Sequence, residues 1–144
     1  MRRRRPPRTP QQKHPNTETF TWHNVNPHGR ITGDCVFRAF SLALNQDYAQ
    51  TVREMAEVMI ETGYALNDKY GEEEYLRRKG WEKQKQPRKA DGTKYTADEF
   101  AKTAPSDRIV LHAGGHHTTC IIDGKIHDIW NCGYKCVGNY WIKH

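Results

Sequence analysis

The hydrophobic period of this chain changes at Pro105, and that change limits the folds open to it. Before Pro105, apolar residues recur at helical spacing, first as Phe37, Phe40, Ala43 and Leu44, then as Val52, Met55, Ala56, Met59 and Ile60. After it, the segments Arg108 to His112, His117 to Ile122, Lys125 to Trp130 and Cys136 to Ile142 are short, rich in β-branched and aromatic residues, and separated by turn signals. No βα unit recurs and there is no internal repeat. Helices first and strands afterwards predict an α+β domain, with N-terminal helices packed on a C-terminal antiparallel sheet.

The helix ends are marked locally. Gly33-Asp34 precedes the first apolar stripe, which makes Asp34 the expected N-cap and Cys35 the first helical residue. A second helix is expected from about Tyr48 to Glu61, stopped by Gly63, and a shorter one from about Tyr70 to Lys79, stopped by Gly80. Lys83 to Lys94 reads as a polar connection. Thr96-Ala97-Asp98-Glu99 has capping-box spacing and opens a short helix bearing Phe100. Upstream, Phe20 and Trp22 alternate with polar residues as a short strand, followed by a loop to Ile31.

Asp123-Gly124 fixes a register as well as a turn, because this pair favours a two-residue type I′ hairpin. Counting outward pairs Ile122 with Lys125, Thr119 with Asp128 and His117 with Trp130. His117, Thr119, Asp128 and Trp130 then share one face, and His116, Cys120, His127 and Asn131 the other. His117 and Asp128 become diagonal neighbours, close enough for imidazole and carboxylate to meet.

Charge is distributed as unevenly as hydrophobicity. The chain has 144 residues and a formal charge of +6, and six of its 23 Lys and Arg fall in the first thirteen residues, where there is no acid. The other seventeen bases match the seventeen Asp and Glu. Arg2, Arg3, Arg4, Arg5, Arg8 and Lys13 therefore form a polycationic arm on a neutral body, which excludes a uniformly basic nucleic-acid-binding domain. Residues 1–18 contain too little apolar surface to offset ordering and are expected to be disordered. Residues 19–144 form the domain. The arm is suited to phosphate-backbone contact with nucleic acid or a nucleoprotein particle, and with no aromatic among its charges it lacks a stacking surface. No apolar run reaches the roughly 18 residues of a membrane span, and no signal peptide follows the Arg run, so a soluble, unexported protein without a membrane partner is expected.

Four cysteines, Cys35, Cys120, Cys132 and Cys136, are too few for a disulfide scaffold and suit a reducing compartment. Cys132-x3-Cys136 with His127 and Cys120 or His116 supplies zinc-ligand types, but in no strong finger spacing, and the sequence calls for no metal or cofactor. A thiol-nucleophile reading accounts for more. Cys35 at a helix start would be favoured as thiolate by the helix dipole, His117 would act as base and acid, and Asp128 would orient it. The Cys35 N–H would donate one oxyanion hydrogen bond. Asp34, adjacent in sequence, opposes the thiolate unless capping takes up its charge.

The order Cys, His, Asp, with the cysteine opening a helix and the others on a following sheet, resembles the papain-like cysteine peptidase fold. More closely, the chain resembles a family of small papain-like proteins encoded by bacteriophages. The likeness rests on Asn26-Pro27, Gly33-Asp34-Cys35-Val36-Phe37-Arg38-Ala39, Tyr75-Leu76, Gly80-Trp81, Tyr95 to Phe100, His117 through Asp123-Gly124 to Asp128-Ile129-Trp130, and Tyr140-Trp141. It implies a cysteine-dependent hydrolase or acyl transferase acting on a peptide or isopeptide bond of a protein or peptide substrate, located in host cytoplasm or in a virion. The position of papain's oxyanion glutamine is Gly29 here, leaving Asn26 or Asn24 as the candidate second donor. The alternative is a non-catalytic virion or ribonucleoprotein component, in which the arm binds nucleic acid and the papain-like body is a scaffold.

Overall fold

The computed structural model describes residues 3–144. Eleven elements follow one another: α1 (Pro10–Lys13), β1 (Phe20–Trp22), α2 (Cys35–Leu44), α3 (Tyr48–Thr62), α4 (Lys69–Arg78), β2 (Trp81–Gln84), α5 (Ala97–Lys102), β3 (Arg108–Ala113), β4 (His117–Ile122), β5 (Lys125–Asp128) and β6 (Val137–Lys143). The six strands form one sheet in the order β1-β5-β4-β3-β6-β2. The α+β class is as expected, but the sheet is mixed rather than antiparallel, because β1 runs parallel to β5. β1 precedes α2 to α5 in sequence and pairs at the sheet edge with a strand far along the chain, which no hairpin signal announces.

The Asp123-Gly124 turn has positive φ at both residues, 49° and 79°, as a type I′ turn requires. It sets the expected register, with Cys120 opposite His127 and Ile122 opposite Lys125. β5 ends at Asp128, two residues before Trp130. β2 lies at the edge of the stretch read as a polar connection. Trp81 is its single buried residue, so the strand depends on pairing with β6 rather than on an apolar pattern.

The sheet separates two apolar layers. Phe40, Ala43, Met55, Tyr75 and Leu76 from α2, α3 and α4 pack with Val110, Cys120 and Trp141. Phe100 and Ala101 from α5 pack with Phe20, Ile109, Leu111, Ile121 and Ile126. The alternation of Ile109, Val110 and Leu111 between layers is the period-two pattern of a strand covered on both faces. Among the described residues, no helix is long and apolar enough to cross a membrane.

Within the segment expected to be disordered, Thr9 and Gln12 form a reciprocal capping box on the single turn of α1. The chain that follows is tied to the body: His14 Nδ1 accepts from Asn131 N at 3.1 Å, and Asn16 Oδ1 accepts from Trp22 N at 2.7 Å. Residues 3–8 are exposed and carry no regular structure.

Candidate active site

β4 begins at His117 and β5 ends at Asp128, so the two antiparallel neighbours bring both residues to the same end of the sheet. His117 Nε2 and Asp128 Oδ2 are 2.6 Å apart. That contact leaves Nδ1 of the ring for a second partner, and Cys35, at the first position of α2, lines the same groove as His117, near enough for each group to shift the other's pKa. Trp130 covers the ring, with centroids 4.6 Å apart. The structure thus brings together Cys35, His117 and Asp128.

Asp128 is 1% exposed, and each of its oxygens has two donors. Oδ1 accepts from Arg38 Nη1 at 2.8 Å and from the Ile129 N–H at 2.7 Å, while Oδ2 faces His117 and the Cys132 thiol, the latter at 3.7 Å. A carboxylate with its acceptor positions filled is fixed in both place and charge. Burial opposes its ionisation, but the hydrogen bond and charge of His117 and the charge of Arg38 outweigh this and hold its pKa below the ordinary value.

Arg38 links this carboxylate to a second one. Its Nε donates to Asp34 Oδ1 at 2.7 Å, and its side chain is 5% exposed. Asp34 holds the N-cap position of α2, as expected, but its side chain makes no cap hydrogen bond. Its other oxygen instead accepts from Asn26 Nδ2 at 3.0 Å and from Tyr48 OH at 2.8 Å. A guanidinium one helical turn away outcompetes backbone N–H groups for a buried carboxylate, because charge-assisted bonds are the stronger ones. The result still meets the requirement posed by the sequence: the negative charge beside Cys35 is taken up. It also leaves the first-turn N–H groups of α2 free of an Asp34 cap.

The oxyanion candidates lie in the loop before α2. Asn26 Nδ2 donates to Asp34, and its Oδ1 accepts from the His28 and Arg30 N–H groups. Asn24 Nδ2 donates to the Arg30 carbonyl. Both asparagines shape that loop, each engaging one of its two amide hydrogens.

Opposing effects set the proton balance. Burial disfavours the Cys35 thiolate, yet the nearby His117 ring and Thr118 backbone, with the charges of His117 and Arg38, bring the thiol pKa below its ordinary 9.0. Burial also disfavours the His117 imidazolium, yet Asp128, Cys132 and Cys35 raise its pKa well above the ordinary 6.5. The two shifts move toward each other and favour a thiolate–imidazolium pair. Cys120 and Cys132 are buried, and burial drives both thiols upward. Cys35 is the partly exposed cysteine that has a base.

A groove of about 550 Å³ opens onto the pair. The start of α2 supplies Cys35 and Val36, the start of α4 supplies Lys69 and Glu72, and the β3–β4 hairpin supplies His112, His116, His117 and Thr118. The donor set weighed for zinc is not assembled. Cys136 is exposed, Cys132 is buried, and Cys120 gives its thiol to the His127 carbonyl. Donor atoms of His117, Asp128 and Cys132 do lie within 4.8 Å of one another, a set that could hold a metal ion only in competition with the Asp128 contacts above.

Arg38, Tyr48 and Glu72 belong to this site but are not among the residues the sequence singles out for chemistry, and Cys132, weighed there as a zinc ligand, lies against Asp128 instead. Arg38 falls outside the stripe of Phe37, Phe40, Ala43 and Leu44, so its burial shows only in the fold. Arg3, Arg4, Arg5, Arg8 and Lys13 are exposed, whereas Arg2 lies outside the described residues. Comparison with protein-family models, curated proteins and solved structures returns no match for this chain.

Proposed function

We propose that the protein is a papain-like thiol hydrolase or acyl transferase in which Cys35 is the nucleophile, His117 the acid–base and Asp128 the orienting group. The observation that carries this reading is the hydrogen-bonded chain His117–Asp128–Arg38–Asp34, in which positive and negative groups alternate, with Cys35 lining the same groove as His117. A lone buried cysteine needs none of these partners.

In the reaction, the Cys35 thiolate attacks the carbonyl carbon of a peptide or isopeptide bond. The oxyanion forms at the mouth of α2, where the Cys35 N–H and the helix dipole stabilise it. His117 gives its proton to the departing amine as the C–N bond breaks, leaving a thioester on Cys35. Neutral His117 then takes a proton from water, or from an acceptor amine, as that nucleophile attacks the thioester. Cys35 leaves as thiolate and His117 is again imidazolium, so the site returns to its starting state. Asp128, held by Arg38, keeps the ring oriented throughout.

The exposed bases of residues 3–13 support a localising role for the arm on nucleic acid or a nucleoprotein particle. The test of the enzymatic reading is labelling with an electrophilic thiol probe, read by intact mass and peptide mapping. Labelling at Cys35 that disappears in Cys35→Ala and falls strongly in His117→Ala supports it. Equal labelling of the four cysteines contradicts it and favours a scaffold role.

A further inference from the structure

The groove that opens onto Cys35 contains a carboxyl group the reaction above does not use. Glu72 lines it from α4, is 6% exposed, and has no hydrogen-bond or ion-pair partner among the described residues. At the neighbouring Gly71 a Cβ would lie 3.2 Å from the Ala65 carbonyl oxygen, so α4 is packed closely on the preceding loop beside Glu72. The carboxylate oxygens of Glu72 have no donor among the described residues and face the solvent of the groove, open to a donor that enters it.

The charges around Glu72 also leave it unsatisfied. Asp68 and Glu73, on or beside its own helix, repel a further negative charge, and burial together with these two acids brings its pKa to about 7. Lys69 is the nearest cation in sequence that lines the groove, but its Nζ lies 5.0 Å from the Tyr70 ring centroid and makes no ion pair with Glu72. His112, across the groove, packs edge-on to Trp141, and burial lowers its pKa, which keeps it neutral. His117 has its charge matched by Asp128 and Cys35. His116 lies exposed at the rim. A cation entering from solvent would meet a carboxyl group that nothing else neutralises.

We propose that Glu72 is a specificity-determining residue that receives a lysine or arginine side chain of a polypeptide substrate close to the bond Cys35 attacks. This rests on the reading of Cys35 as an acyl-transfer nucleophile, but the subsite itself is a binding site and is testable without turnover. On binding, the substrate cation supplies the missing donor, and Glu72 is held as carboxylate.

The experiment is a ¹H–¹⁵N correlation titration of the Cys35→Ala protein with short acetylated peptide amides that differ at one position: lysine, norleucine or glutamate. The lysine peptide is expected to bind at least tenfold more tightly than the norleucine peptide, shifting the amide signals of Glu72, Gly115 and Thr118. Glu72→Gln in the same background should bring the lysine-to-norleucine ratio close to one, and Glu72→Asp should restore part of it. Circular dichroism and thermal unfolding confirm that the variants fold. Equal affinity for the two peptides, or a lysine preference that survives Glu72→Gln, overturns the proposal. A lysine preference in a protein whose Cys35 shows no His117-dependent labelling would instead overturn the catalytic reading while leaving the cation subsite standing.

Discussion

Replacing Arg38 with methionine removes the one cation shared by two buried carboxylates, and the structure sets the size and pH dependence of the loss. The side chains of Arg38, Asp34 and Asp128 are 5%, 8% and 1% exposed, so solvent screening offers little relief. Removing one partner of a buried ion pair costs about 3–5 kcal/mol, because the other charge is left uncompensated. Asp34 keeps Asn26 and Tyr48 as donors and Asp128 keeps His117, so the loss is expected inside that range rather than at twice its value. Against a typical total of about 5–15 kcal/mol, this is a large fraction of the stability of the domain. The native carboxylates have lowered pKa values, so their contribution is present above the unfolded-state pKa of about 4 and disappears as pH falls through the folded values. In Arg38→Met the sign reverses: burial without the guanidinium favours protonation, and acid relieves the penalty. Urea unfolding at pH 7 and pH 5 should therefore show a gap between native and variant that narrows at the lower pH. A loss below about 1 kcal/mol, or the same gap at both values, would refute the argument that this pair is buried and mutually dependent.

Asp128→Asn leaves His117 without its charge partner, so the rate of any acyl transfer should drop by about two to four orders of magnitude, measured as turnover of a thioester or peptide substrate. Phe40 is 1% exposed and stacked on Tyr75 at 5.7 Å, and Phe40→Ala should cost about 3–5 kcal/mol in denaturant unfolding. If the arm binds a nucleic-acid backbone through roughly six contacts, a plot of log affinity against log salt should have a slope near −5, and deleting residues 1–13 should abolish that slope. An unchanged salt dependence after the deletion would place binding elsewhere.

Local chemistry explains why much of this fold is legible in the sequence. The Asp123-Gly124 turn allows few alternatives, and once it is placed, the proximity of His117 and Asp128 follows from the strand period. The start of α2 at Cys35 was readable for the same kind of reason. Pairings made over long separations are different. β1 joins β5 across more than a hundred residues, and β2 has one buried side chain, so neither bond partner leaves a local pattern. Asp34 is more instructive. Its N-cap position follows from propensity and is kept, but its side chain's ion pair with Arg38 and bonds to Asn26 and Tyr48 depend on groups that only the folded chain brings together. The groove carboxyl of Glu72 was hidden too, since a Glu in the first turn of a helix ordinarily signals nothing more than dipole compensation.

The claim on which the account depends is that His117, oriented by Asp128, lowers the Cys35 pKa and so favours the thiolate. The pH dependence of Cys35 alkylation by iodoacetamide, followed by mass spectrometry in the native protein and in His117→Ala, measures this directly. The account predicts that native Cys35 reacts with an apparent pKa clearly below the ordinary thiol value of 9.0, and that His117→Ala moves it back toward that value. An apparent pKa at or above 9.0 in the native protein, unchanged by His117→Ala, would contradict it.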